Sequence, residues 1–132
     1  LGRRLLRVRD VMHPTTELPR IRASDPIRVV VEAITKGGLG VAAVIDDAGT
    51  LAGVITDGDL RRALLRNVDV SSAAAADVMT RTPKTVAAAA LAAEALATME
   101  KHSITSLFIV EETTRRPLGI IHLHDLLRAD VA

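Results

Sequence analysis

The chain has 132 residues, 48% of them apolar, with a formal net charge of +1, a single phenylalanine, no tryptophan or tyrosine, and no cysteine. That predicts one compact domain with enough apolar surface for a core, and it argues against nucleic acid as a partner, since neither a basic surplus nor aromatic stacking platforms are available. Without cysteine there is no disulfide, thiolate metal site or cysteine nucleophile, which fits a cytoplasmic location. The alanine-rich apolar run that ends at Ala93, before Glu94, is far shorter than the roughly 20 residues of a membrane span, so no membrane association is expected.

In chain order, the opening "LGRRLLRVRD" is basic but has neither a long apolar core nor a cleavage site, so it is no signal peptide. Residues 1–9 read as a linker, with Arg3, Arg4, Arg7 and Arg9 in solvent, and the start at Leu1 reads as a cut from a longer chain. "DVM" follows at Asp10–Met12, then a short strand around Ile21. Asp25 is a candidate N-cap with Pro26 at the first helical position, and Ile27, Val30, Val31 and Ile34 form an apolar helix face. "VAAVI" and "LAGVI" are strands joined by the turn "DDAGT", and a second helix starts at about Asp59. "DVM" returns at Asp77–Met79, a strand is expected around Val86, and Ala92, Ala95, Leu96 and Met99 carry the next helix. "SLFIV" and "LGII" are strands joined by "EETTRRP", with Arg115 and Arg116 at the loop tip, and a last helix begins near Asp125.

The two halves echo each other. The DVM copies are 77 − 10 = 67 residues apart; "GVITDGDLRRAL" at Gly53 and "GIIHLHDLLRAD" at Gly119 are 119 − 53 = 66 apart; the segments from Ile21 and Val86 are 86 − 21 = 65 apart. The expected fold is α+β, a β-α-β-β-α unit twice over residues 10–70 and 71–132, related by a pseudo-twofold axis. One unit of this size buries little surface alone, so the halves are expected to pack together and leave clefts.

Within "GVITDGDLRR" the spacing Thr56-x-x-Asp59 is that of a capping box, and Asp57 and Asp59 complement the positive end of a helix whether or not anything binds. The same stretch, with its echo, resembles a CBS domain, and the doubled chain resembles a CBS pair, or Bateman module. The combination of "TDGDLRR" with "HLHDLLRA" is similar to the tail of arabinose-5-phosphate isomerases, enzymes that open synthesis of the sugar acid Kdo and carry a sugar-isomerase domain before the CBS pair.

The resemblance implies a regulatory module rather than a catalyst, with residues 1–9 as a linker from a sugar-isomerase domain. It implies a nucleotide site on Gly53, Thr56, Asp57 and Asp59: an ionised Asp59 accepting from ribose hydroxyls, and Thr56 with the free amides of the helix start holding phosphate. Gly53 would let a ligand or a neighbouring backbone approach, and Arg61 and Arg62 would add charge-assisted bonds. In the second copy His122 replaces Thr56, while Asp125 keeps the acid, which suggests two unequal sites or one composite site. Lys101, His102, Thr105 and Ser106, between the second half's helix and strand, form a polar turn expected either to face a ligand shared with the first copy or to be solvated.

His122-x-His124 beside Asp125 raises a metal site, with strand alternation putting both rings on one face, but His13 and His102 are not demanded by spacing, and no metal is expected. No cofactor is required. The expected effector is a nucleotide-sugar, the end product CMP-Kdo, or else AMP or ATP. A homodimer through the CBS pair, higher oligomers in the parent enzyme, and a mainly structural pairing role are the other expectations. No catalytic residue is expected here: Asp57 and Asp59, two apart, would not share a helix face.

Overall fold

The computed structural model describes residues 5–129; Arg3 and Arg4 lie outside them. The chain divides into two compact units, a central one over Leu18–Pro83 and a terminal one made of the residues up to Glu17 and those from Lys84 onward. In chain order the elements are α1 (Val8–Val11), β1 (His13–Pro14), a 3-10 turn (Thr15–Glu17), β2 (Arg20–Ile21), α2 (Ile27–Gly37), β3 (Val41–Ile45), β4 (Leu51–Thr56) and α3 (Asp57–Leu65), followed by α4 (Ala75–Val78), β5 (Thr85–Val86), α5 (Ala92–His102), β6 (Ser106–Val110), β7 (Pro117–His122) and α6 (Leu123–Arg128). The fold is α+β. No helix among the described residues is long and apolar enough to cross a membrane.

Each unit is built on the same plan. In the central sheet, ordered β2-β3-β4, β2 runs parallel to β3 and β3 antiparallel to β4. In the terminal sheet, ordered β1-β7-β6-β5, β5 runs parallel to β6 and β6 antiparallel to β7. Both β hairpins have an irregularity at the same place, between Val44 and Ile45 and between Ile109 and Val110. The alternation Leu51, Gly53, Ile55 buries one face of β4, as a period of two requires.

The repeats along the sequence and the units in space divide the chain at different places. β1, which follows the first DVM, pairs antiparallel with β7, His13 opposite Ile120. The second DVM starts in α4 of the central unit and ends at its C-cap Met79, and the next residue, Thr80, bridges Val54 on β4. The residues that follow each DVM thus close the edge of a sheet, which satisfies strand groups that would otherwise stay open. The stretch read as a linker over 1–9 also contributes to a core: Val8 is fully buried with Ala92, Met99, Leu107 and Leu126. Arg7, expected in solvent, is half-buried and donates from Nη1 to the Ala89 carbonyl at 2.9 Å; Arg9 is exposed as expected.

Three boundaries differ from the expectation. Pro26, not Asp25, is the N-cap of α2; the Asp25 carboxylate instead accepts from the Arg22 amide. Val31 is exposed, so the buried face of α2 is Ile27, Val30 and Ile34. α3 and α6 begin two residues before Asp59 and Asp125, because Thr56 and His122 act as their caps.

Candidate functional site

In the central unit β4 delivers Thr56 to the start of α3. The Thr56 hydroxyl accepts from the Asp59 amide at 3.1 Å, and Asp59 Oδ2 accepts from the Thr56 amide at 2.9 Å. This is the reciprocal capping box expected from the spacing, and it satisfies two backbone donors that a helix start leaves open. The other oxygen, Oδ1, accepts from Arg62 Nη2 at 2.9 Å and from the Thr80 hydroxyl at 3.4 Å. The Asp59 side chain is only 11% exposed, whereas Arg62 is 62% exposed. Asp57 is exposed, with its amide donating to the Gly40 carbonyl at 3.1 Å. Arg61 is exposed on α3.

Gly53 serves the chain rather than an open space. A Cβ there would stand 2.7 Å from the Thr80 carbonyl oxygen and 3.1 Å from Met79 Sδ, so of the two roles expected for it, close backbone approach is the one realised. Gly119 does the same against the His13 carbonyl, where a Cβ would come within 2.3 Å.

The terminal unit repeats the arrangement with histidines. Asp125 Oδ2 accepts from the His122 amide at 2.8 Å, and His122 Nδ1 accepts from the His124 amide at 3.0 Å. Asp125 is buried, and its Oδ1 is met by Arg128 Nη2 at 2.6 Å and His13 Nε2 at 3.0 Å. The other His13 nitrogen lies 3.2 Å from Glu17. With Nδ1 accepting, neutral His122 carries its proton on Nε2. Burial, and then the neighbouring His124, hold the His122 imidazole below the ordinary histidine range against an opposing effect of Asp125.

The ring centroids of His122 and His124 lie 4.4 Å apart, although not by strand alternation: His122 ends β7 and His124 lies in the first turn of α6. Among the described residues no three histidine or acidic side chains are grouped to hold a metal.

The polar turn of the second half is split by the structure. Lys101 and His102 belong to the last turn of α5 and are exposed. Thr105 offers its carbonyl to the Leu123 amide at 2.8 Å, the counterpart of Gly40 with Asp57. Ser106 starts β6 directly opposite His122, with its hydroxyl buried and unpartnered.

His13, Thr80 and Arg128 are the residues that sequence reasoning missed as partners of the two acids. The signal was present: His13 and Thr80 are 80 − 13 = 67 apart, the DVM offset, and Arg62 and Arg128 are 128 − 62 = 66 apart, the offset of the acids.

The model of the CBS domain matches residues 8–66 and again 75–132. The chain is 48% identical over 132 residues to arabinose 5-phosphate isomerase KdsD of Pseudomonas aeruginosa and 41% identical to that of Escherichia coli K12. It spans 40% of the length of these curated relatives while 99% of this chain is covered. Among solved structures, it is similar to the CBS domain pair of protein MJ0100 in complex with 5-methylthioadenosine and S-adenosyl-L-methionine, with TM-score 0.83, 22% identity and 94% of each chain covered. It is also similar to CBSX2 in complex with AMP, with TM-score 0.81, 23% identity and 96% of each chain covered.

Proposed function

The chain belongs to the CBS domain family, as a pair of such domains and regulatory in type, and from that premise we propose that it is the ligand-sensing part of a D-arabinose 5-phosphate isomerase. The effector on this reading is a nucleotide, with the nucleotide-sugar end product CMP-Kdo as the first choice. The observation that carries it is the start of α3, where a nearly buried Asp59 and an exposed Arg62 stand beside Thr56. A ribose diol matches the acceptor-only carboxylate, a phosphodiester matches the positive end of α3, and a sugar carboxylate matches Arg61 or Arg62.

The terminal unit, with Ser106, His122, His124 and Asp125, is a second and unequal ligand position on this reading; the free Nε2–H of His122 and the unpartnered Ser106 hydroxyl supply its polar contacts. The parent would be a cytoplasmic enzyme of lipopolysaccharide biosynthesis whose isomerase activity is tuned by this module. Calorimetry with CMP-Kdo, AMP and ATP tests the choice of ligand. Saturable heat with CMP-Kdo supports it; micromolar AMP binding with none for CMP-Kdo moves the assignment to a generic adenine-nucleotide CBS pair, the ligand class held by CBSX2 and, as adenosine derivatives, by MJ0100.

A second reading, a pairing module, is favoured by exposed leucines: Leu64 at 58% and Leu65 at 79% on α3, and Leu127 at 50% on α6. Exposed large apolar side chains on adjacent helix positions suit burial against another copy. Replacing Leu64, Leu65 and Leu127 by glutamate and measuring mass by light scattering tests it. A dimer that becomes a monomer supports the reading, and an unchanged mass contradicts it.

A further inference from the structure

Resting on the nucleotide reading of α3, we propose that Arg62 occupies the place on Asp59 that a ligand diol must take, so that the site selects diols that also carry an anion. An Asp59 oxygen has two lone-pair directions. On Oδ1 both are used, by Arg62 Nη2 at 2.9 Å and by the Thr80 hydroxyl at 3.4 Å. Oδ2 accepts from the Thr56 amide within the cap and keeps one direction, enough for one hydroxyl of a diol. The second hydroxyl of the diol comes to Oδ1, where Arg62, on a long and exposed side chain, is the partner that gives way.

A neutral nucleoside exchanges the ion pair for a hydroxyl–carboxylate hydrogen bond and leaves the guanidinium without a counter-ion. A nucleotide offers the released guanidinium a phosphate or carboxylate, so the ion pair is exchanged rather than lost. Arg62 is free to make this exchange, being 62% exposed on the surface of α3.

Gly58 lies under the same arrangement. A Cβ at Gly58 would stand 3.2 Å from both Nη atoms of Arg62, so the bare glycine lets the guanidinium lie close over the helix start, and a Cβ would move it by only a few tenths of an ångström. The sequence order Asp57-Gly58-Asp59 thereby seats Arg62 as well as capping the helix.

The test is calorimetric titration of this chain, and of its Arg62→Ala and Gly58→Ala variants, with adenosine, AMP, cytidine and CMP, with thermal unfolding as a check on the fold. In the native chain each nucleotide binds more tightly than its nucleoside. In Arg62→Ala the nucleosides bind about two- to fivefold more tightly, the scale of losing one partly exposed ion pair, while the nucleotides weaken by about tenfold. In Gly58→Ala the guanidinium shifts by only a few tenths of an ångström and stays on Asp59, so nucleosides and nucleotides keep their native affinities. Nucleoside affinity that is unchanged or weaker in Arg62→Ala, with nucleotides still bound by the native chain, overturns the exchange and leaves the nucleotide reading standing. No binding of any of the four by any variant overturns the exchange, and the nucleotide reading falls with it if CMP-Kdo and ATP also fail to bind the native chain.

Discussion

His13 Nε2 lies 3.0 Å from Asp125 Oδ1, joining residues 112 positions apart. Asp125 is buried, so its charge is compensated by His13, Arg128 and the His122 amide rather than by water. His13→Ala is expected to destabilise the terminal unit by about 1–3 kcal/mol, the cost of leaving a buried polar group short of a partner. His13→Thr, which copies Thr80 of the central unit, is expected to lose less. Urea denaturation of both variants measures the difference, and equal stability of His13→Ala and the native chain would refute it.

The two close backbone approaches make a graded pair. An added Cβ meets the Thr80 oxygen at 2.7 Å at Gly53 but the His13 oxygen at 2.3 Å at Gly119. Both contacts are to backbone, which cannot swing aside, so each alanine variant is expected to lose about 1–3 kcal/mol, with Gly119→Ala the worse. Denaturation midpoints in the opposite order would contradict this reading.

The cap on α3 can be separated from any ligand. Thr56→Ala removes the acceptor for the Asp59 amide and is expected to cost about 1 kcal/mol of stability, while Thr56→Ser restores most of it. Chemical denaturation without nucleotide reads this effect directly; a fully stable Thr56→Ala variant would mean that the cap contributes nothing.

His122 gives a pH dependence of known sign. Its folded-state pKa lies below the ordinary 6.5, by burial first and then by His124, with His13 and Arg128 adding to the lowering and Asp125 opposing it. The unfolded chain therefore takes up this proton more readily, and the contribution to stability is full above about pH 6.5 and lost as pH falls through the lowered folded-state value. His122→Thr keeps a capping side chain but removes the proton site. Its thermal midpoint is expected to fall less than that of the native chain between about pH 7.5 and pH 5. Parallel pH profiles would assign the acid sensitivity elsewhere.

Much of this was legible in the sequence because it is local or repeated. The capping box needed only Thr56 and Asp59, three residues apart, and the hairpins announced themselves through "DDAGT" and the alternating apolar runs. The edge pairing was not legible. That β1 closes the sheet of β7, and that Thr80 bridges Val54, depends on pairings between residues far beyond a local window, which no local pattern encodes. Val8 illustrates the same limit: one valine among four nearby arginines reads as linker until the core it enters is known. The engagement of Asp59 by Arg62 follows helix spacing, but its consequence for a ligand emerges only once Thr80 is seen on the same oxygen.

The central claim is that the start of α3 is a nucleotide site. The most direct measurement is calorimetric titration of the native chain and of Asp59→Asn, which keeps the size of the side chain and removes its charge, with CMP-Kdo, AMP and ATP. Saturable binding of at least one of them by the native chain, weakened by about tenfold or more in a folded Asp59→Asn variant, is the predicted result. Absence of binding by the native chain, or equal binding by both, would contradict it.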